Sequence, residues 1–320
     1  MPRHRIDRVL VIHETPSDFS EMLEASFPDI AFRYATAPAE IAPALAAADP
    51  QAVFSIKHGA IPGEYHRAAI LHPALRWFHI GGSGYEHVRP WDRTRVTVTH
   101  GRGLLARYLA ETVTGAMLAL SGNFPRYVDQ QRRQVWQPLL FRPLHGQTLL
   151  IVGLGTIGGH VADNAKALGM RVLGVGRTPR PHPAAEAVHP LGALLDVIGE
   201  ADIVSVHLRL ADTTRGLFDA RAFQAMKQGA IFINTARGAI VDEAALTDAL
   251  ASGHLAAAHL DVFATEPLPE ASPLWTLPNV FITPHAADNV VDWPQRFARL
   301  FIDNLSRWRD GRPLLNEIME

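Results

Sequence analysis

Three groups of residues have the types and spacing that do chemistry. The first is Gly153-Leu154-Gly155-Thr156-Ile157-Gly158, which follows the apolar run 149–152 and opens a helical pattern over 156–168. In a strand–turn–helix context this spacing is a dinucleotide fingerprint. Gly153 permits the tight turn, Gly155 lets the backbone approach a pyrophosphate, and Gly158 lets helix and strand pack closely. The free N–H groups and dipole of the helix start, at Thr156 and Ile157, favour an anion. The plain alternative is a Gly-rich structural turn.

The second group suggests which dinucleotide. An NAD site usually carries Asp or Glu at the end of the next strand, to hold the ribose hydroxyls. Here the strand expected over 171–175 runs into Gly176-Arg177-Thr178-Pro179-Arg180, with no acid. Arg177, Arg180 and the Thr178 hydroxyl suit a 2′-phosphate, which a carboxylate would repel. The expectation is NADPH in preference to NADH, with NADH possible. Otherwise both arginines are solvated loop residues.

The third group lies after three later strands. Arg237 stands in Asn234-Thr235-Ala236-Arg237-Gly238, Glu266 in Asp261-Val-Phe-Ala-Thr-Glu266-Pro267, and His285 in Thr283-Pro-His285-Ala-Ala. Ligands in open α/β sheets lie at the carboxyl ends of strands, so Arg237 is placed to face one. A guanidinium there can clamp a carboxylate. Glu266 and His285 could form a dyad in which the carboxylate orients the ring and stabilises the imidazolium. Spacing alone does not prove that contact. Taken singly, His285 is one of 16 histidines, and a structural or surface role suits it better.

These residues need a scaffold of strand ends, and the chain is built for one. At 320 residues two domains are the default. Short apolar runs at 8–13, 30–34, 52–56, 77–80 and 96–99 form one series, with amphipathic stretches such as 17–26 between them. A second series runs 148–153, 171–175, 202–207, 230–235, 256–261 and 280–283. Strand–helix alternation predicts doubly wound, mostly parallel sheets. The joining segment 104–121 is apolar on more than one face, so it is expected to be buried by more than its own domain, linking the domains and packing against a second subunit. The tail 292–308 reads as a helix, and the Pro- and His-rich stretch 178–189 as a surface loop.

Composition removes other chemistry. There is no cysteine, hence no disulfide, Cys-ligated metal or thiol nucleophile, and no metal site is expected. The formal charge of -2 argues against a nucleic-acid coat. Lys57, Lys166 and Lys227 are the lysines among 30 basic residues, a bias that codon usage explains. No apolar run is long enough to span a membrane, and the short run near the N-terminus is too short for a signal peptide; a cytoplasmic location is the expectation.

The ordered motifs resemble those of the D-isomer-specific 2-hydroxyacid dehydrogenases. They are Gly84-Tyr-Glu-His-Val, Leu109-Ala-Glu111, the turn at 153–158, Asn234 to Gly238 with Ile240-Val-Asp242-Glu243, the segment 261–269 and Thr283 to Ala286. The resemblance covers nearly the whole chain. It implies a Rossmann dinucleotide-binding domain over 100–286 and a flavodoxin-like substrate domain over 1–99, completed by 287–320, with the cleft between them. It implies Arg237 as carboxylate clamp, His285 as acid/base and Glu266 as support of His285. It implies backbone N–H groups at Ser83 and Gly84 for the carboxylate and Asp261 for the nicotinamide amide. His207, Thr235 and Ala236 join Gly153, Gly155, Thr156, Ile157, Gly158, Arg177, Thr178, Arg180 and Asp261 as cofactor-binding candidates.

Arg177-Thr-Pro-Arg180, and Asn123-Phe-Pro-Arg-Tyr127 followed by Gln130, Gln131 and Trp136, are most similar to the glyoxylate/hydroxypyruvate reductase A branch. That branch prefers NADPH and dimerises through the long helix; in related reductases a partner's Trp reaches the substrate, and Trp136 is the candidate here. Ordinary interface packing is its plain alternative.

The implied reaction is reduction of glyoxylate or hydroxypyruvate to the D-2-hydroxy acid, by hydride transfer from the nicotinamide with His285 as proton donor. Alternatives within the family are an NAD(H)-dependent dehydrogenase of another 2-hydroxy acid, such as phosphoglycerate dehydrogenase, and formate or phosphite dehydrogenase; an alternative of another class is a corepressor-like protein that senses dinucleotides. Departures from the family are Arg209, where Pro is common, and Arg102 and Arg107, where small or polar residues are frequent. Lys57 and His58 follow a strand and could face the cleft. Ser83 in Gly81-Gly-Ser-Gly-Tyr85 fails the hydrolase elbow at its last position.

Overall fold

The protein is described by a computed structural model over residues 5–56 and 61–319. Lys57 and His58 lie outside the described residues. The chain divides into two compact units, Met1–Leu105 with Val290–Glu320, and Ala106–Asn289.

In the first unit the elements alternate: β1 (Arg8–Ile12), α1 (Ser20–Ser26), β2 (Ala31–Ala35), α2 (Pro38–Ala48), β3 (Ala52–Ser55), α3 (Gly63–Ile70), β4 (Trp77–Ile80) and β5 (Thr97–His100). The sheet order is β2-β1-β3-β4-β5, with every pair parallel. This is the flavodoxin-like order. β3 and β4 are buried along their whole length, which is why they read as unbroken apolar runs rather than alternating ones.

The second unit begins with α4 (Ala106–Ser121) and α5 (Phe124–Arg132). Then follow β6 (Thr148–Val152), α6 (Thr156–Ala167), β7 (Arg171–Gly176), β8 (Ala187–Pro190), a short α7 (Leu194–Val197) and β9 (Ile203–Val206). After these come α8 (Ala220–Ala225), β10 (Ala230–Asn234), α9 (Glu243–Ala251), β11 (Leu255–Leu260) and β12 (Val280–Ile282). The seven-stranded order β12-β11-β10-β9-β6-β7-β8 is parallel throughout. It reverses direction between β6 and β9, the switch point at which such sheets bind ligands. Asp219 caps α8 by accepting from the Ala222 N–H, and Asp242 caps α9 by accepting from Ala244 and Ala245.

The last helix, α10 (Trp293–Arg309), belongs to the first unit. Phe301 stacks on Trp77 and on Phe54, with ring centroids 4.9 Å apart in each pair. Trp308 stacks on Trp77 at 5.8 Å. Stacked rings of this kind add about 0.5–1.5 kcal/mol per pair beyond the area they bury, so the helix is fastened to the sheet through aromatic faces.

Two local expectations need correction, and one helix has no counterpart among them. The stretch 178–189 is not all loop: Ala187–Pro190 forms β8, an edge strand paired with β7. Pro190 ends it, which an edge tolerates because its free side needs no donor. α5 was not anticipated, since exposed polar residues dominate it. The long helix starts at Ala106 rather than 104, after a turn over 102–105.

Candidate active site

The Gly-rich turn leaves β6 at the switch point. Gly153 has φ +106°, and a Cβ there would lie 2.6 Å from the His207 carbonyl carbon. A Cβ on Gly158 would lie 2.5 Å from the Gly153 oxygen. Both positions therefore exclude a side chain, one through backbone strain and one through helix–strand contact. A Cβ on Gly155 would meet nothing within 4 Å, so that face of the backbone is open at the start of α6. Thr156 and Ile157 follow as the first residues of α6.

Two buried polar atoms at the ends of the neighbouring strands β9 and β10 lack hydrogen-bond partners among the described residues: His207 Nδ1 and Thr235 Oγ1. His207 Nε2 lies 2.9 Å from Ser205 Oγ. Burial pushes the His207 imidazole down to about 4, so it is neutral near pH 7. Unmatched buried polar groups are costly, and at strand ends they fit a site awaiting a polar ligand. The residues therefore fit a dinucleotide. Arg177, Thr178 and Arg180 stand exposed just beyond the end of β7. Ala236 is buried, and its N–H donates to Asn234 Oδ1 at 3.0 Å.

The ends of β10, β11 and β12 carry the reacting groups. His285 Nδ1 bonds Glu266 Oε2 at 2.8 Å. The other Glu266 oxygen accepts the Phe263 N–H at 3.0 Å, so the carboxylate is held at both ends. The ring is about half exposed. The hydrogen bond to Glu266 raises the His285 pKa above its ordinary value; burial and Arg237 work against that, while the charges of Glu266 and Asp261 add to it. His285 itself has φ 51°. It holds this left-handed conformation because its N–H donates to the Asp261 carbonyl at 2.8 Å.

Asp261 is buried and serves as the knot of this end of the sheet. Its Oδ1 accepts from Thr283 Oγ1 at 2.5 Å and from the Ala286 N–H at 2.8 Å, and its Oδ2 accepts the Ala287 N–H at 3.2 Å. Sequence reasoning expected Asp261 to meet a nicotinamide amide. In the structure three of its bonds hold the His285 loop, which a residue type alone does not reveal.

Arg237 is half-buried, and its Nη1 donates to the Ala236 carbonyl at 2.7 Å. The next residue, Gly238, is pressed on the following loop: a Cβ there would fall 1.9 Å from the Phe263 carbonyl carbon. The turn bearing Arg237 and the turn bearing Glu266 are thus in backbone contact. Glu243 adds a second tie, accepting the Ala264 N–H at 2.6 Å. Asp288 is a further group that sequence reasoning missed. Burial raises its carboxyl pKa, and it feels the charges of His285, Asp261 and Arg237. The only sequence signal was its position three residues after His285.

In the first unit, Ser83 is exposed and Gly84 half-buried in the loop that leaves β4. Arg102, Arg107 and Arg209 are exposed. The Arg102 carbonyl accepts from Asn316 Nδ2 at 2.9 Å, and the Arg209 carbonyl from Thr214 Oγ1 at 2.7 Å. Trp136 is fully exposed. No helix among the described residues is long and apolar enough to cross a membrane, and no group of three or more metal-ligating side chains is present among them.

Comparison with known proteins places this geometry in a family. The model of the D-isomer specific 2-hydroxyacid dehydrogenase, NAD binding domain, matches residues 114–287. A glyoxylate reductase of Aeropyrum pernix is 36% identical over 251 residues, 75% of each chain. A D-3-phosphoglycerate dehydrogenase of Mycobacterium bovis is 40% identical over 189 residues, 58% of this chain and 36% of that one. Among solved structures, a D-isomer specific 2-hydroxyacid dehydrogenase family protein from Aeromonas salmonicida superposes with a TM-score of 0.85 at 32% identity, covering 98% of this chain and 99% of its own. A D-isomer specific 2-hydroxyacid dehydrogenase from Xanthobacter autotrophicus Py2, in complex with NADPH and MES, gives 0.79 at 31% identity, covering 98% of each. Two parallel α/β sheets, a dinucleotide turn at the switch point, and Arg, Glu and His at successive strand ends agree with these matches: the chain belongs to the D-isomer-specific 2-hydroxyacid dehydrogenases, oxidoreductases that use a nicotinamide dinucleotide.

Proposed function

We propose that the protein reduces a short 2-keto acid, glyoxylate or hydroxypyruvate, to the D-2-hydroxy acid, with NADPH as preferred cofactor. The observation that carries this reading is the His285–Glu266 hydrogen bond, 2.8 Å long. A carboxylate at Nδ1 requires a proton on that nitrogen, which leaves Nε2 as the atom that exchanges a proton with substrate. Glu266 keeps the ring protonated to higher pH, the state a proton donor needs. Arg237 clamps the substrate carboxylate, and the Ser83 and Gly84 N–H groups of the first unit are a second carboxylate-binding element. A nicotinamide held in this site would supply the hydride for the ketone carbon. His285 Nε2 then gives its proton to the forming alkoxide oxygen.

Gly153, Gly155, Thr156, Ile157 and Gly158 hold the diphosphate in this reading, with His207, Thr235, Ala236 and Asp261 towards the nicotinamide end. Arg177, Thr178 and Arg180 take a 2′-phosphate. The absence of any acid in 176–180 supports NADPH, as do the NADPH bound by the Xanthobacter protein and the NADP of a Rhizobium etli relative.

A homodimer is part of the proposal. Leu118, Phe124, Tyr127, Val128, Trp136 and Leu140 form an exposed apolar run from the end of α4 through the following segment. A second copy would cover such a surface. Its test is the mass in solution, with Phe124→Asp expected to give monomers. For the activity, initial rates over a panel of 2-keto acids with NADPH and with NADH are decisive. Turnover of glyoxylate or hydroxypyruvate, faster with NADPH, is expected. A preference for phosphohydroxypyruvate with NADH would replace this reading by that of a phosphoglycerate dehydrogenase.

A further inference from the structure

His100, the last residue of β5, is buried, 4% exposed, in the first unit. Its Nδ1 lies 2.9 Å from the Ser83 carbonyl oxygen. A carbonyl has no proton to give, so Nδ1–H is the donor. The next residue makes the matching bond: the Gly101 N–H donates to the Gly82 carbonyl at 2.8 Å. Two successive carbonyls of the loop after β4 are therefore held by the end of β5.

This fixes more than the carbonyls. The Gly82–Ser83 and Ser83–Gly84 peptides are trans, since the cis bonds lie at Arg89-Pro90 and Glu266-Pro267. In a planar trans peptide the N–H points opposite to the C=O. With the Gly82 and Ser83 oxygens drawn to Gly101 and His100, the Ser83 and Gly84 N–H groups are turned the other way. Successive N–H groups presented together form a concavity that suits an anion.

The seat of His100 is itself constrained. Its N–H donates to the Asn316 carbonyl at 3.2 Å, and Tyr85 meets the ring edge-on, with centroids 5.6 Å apart. The Gly101 position tolerates no side chain, because a Cβ would fall 2.1 Å from the Phe297 ring. The Gly101 bond is thus built into the backbone, whereas the His100 bond depends on one side chain.

We propose that His100 is a positioning residue for substrate binding: its Nδ1–H holds the Ser83 carbonyl and thereby aims the Gly84 N–H at the substrate carboxylate. The inference rests on the reading that the Ser83 and Gly84 amides bind that carboxylate. It predicts that losing the bond raises the keto-acid KM and leaves kcat little changed, because the amide contacts the carboxylate before and during reaction alike.

The test compares three variants with glyoxylate and NADPH. Asn carries its amide nitrogen where Nδ1 sits in His, whereas Gln carries it nearer Nε2. His100→Asn should keep KM within about threefold of wild type, while His100→Gln should raise it about tenfold, the cost of one hydrogen bond to a charged group. His100→Ala should behave as His100→Gln, with kcat and NADPH affinity little changed. Equal KM in the Asn and Gln variants, or a loss confined to kcat, would overturn the role of the Nδ1 donor. The Asn and Gln variants have closely related side chains, so the comparison stands even if His100→Ala fails to fold. If the wild type turns over no 2-keto acid, the underlying reading falls instead, and the inference falls with it.

Discussion

Glu266 binds His285 Nδ1 through one carboxylate oxygen, at 2.8 Å, and the Phe263 N–H through the other, at 3.0 Å. The carboxylate cannot rotate without losing one bond, so the imidazole it holds is pre-set in orientation and tautomer. The site's pH response follows from this pair.

Replacing Glu266 by Gln keeps a hydrogen-bonding group but removes the charge. The pKa of His285, raised chiefly by Glu266, should fall. Reduction needs the protonated ring, so its rate declines as pH rises through that pKa. In Glu266→Gln the decline should begin at lower pH, and the oxidative direction should gain at lower pH in the same measure. Rate–pH profiles of both directions check this; an unmoved reductive limb would contradict the dyad.

Gly238→Ala should be harmful although Ala is small. Its Cβ would fall 1.9 Å from the Phe263 carbonyl carbon, a backbone atom with no freedom to yield. The loops bearing Arg237 and Glu266 must then separate, at a cost of about 1–3 kcal/mol. Thermal melting should drop, and kcat/KM should fall further than the stability loss alone accounts for. A variant with wild-type kcat/KM would show that the two loops are not coupled.

Arg177→Ala and Arg180→Ala should reduce kcat/KM for NADPH by about tenfold each, the scale of a charge-assisted contact, and leave NADH almost unaffected. Equal losses with both cofactors would place these arginines away from the 2′-phosphate.

Acid should destabilise the fold before it titrates the carboxylates. Burial pushes His79 down to about 3, and His207 and His259 down to about 4. Below about pH 6.5 the unfolded chain binds protons at these positions and the folded chain does not, so stability falls as pH falls, until the folded values are reached. Each contributes up to about 1.4 kcal/mol per pH unit in that window. His285 has the opposite sign, but its raised pKa acts above 6.5 and does not offset the loss. Denaturant midpoints at pH 7 and pH 5 measure the effect; equal midpoints would contradict it.

Much of this was legible in the sequence where one residue type does one local job. The glycine at 153 needs a positive φ and the glycine at 158 needs room for a strand, so the turn declares itself. Buried parallel strands declare themselves as apolar runs. What was not legible depends on partners distant in sequence. Glu266 and His285 are brought together by the pairing of β11 with β12. That Asp261 also ties down the loop at 283–287 shows only in its bonds to Thr283, Ala286 and Ala287. Asp288 looks like a solvated charge until its burial is known. β8 was hidden because an edge strand needs little apolar content and can end in proline.

The central claim is that His285 donates the proton in reduction of a 2-keto acid. Its most direct test is the steady-state rate of NADPH consumption with glyoxylate for the wild type and His285→Ala, alongside NADPH binding to both. The account predicts rapid turnover by the wild type, and a kcat reduced by about 10²–10⁴-fold in the variant with NADPH affinity preserved. A variant that retains most of the wild-type kcat would contradict it.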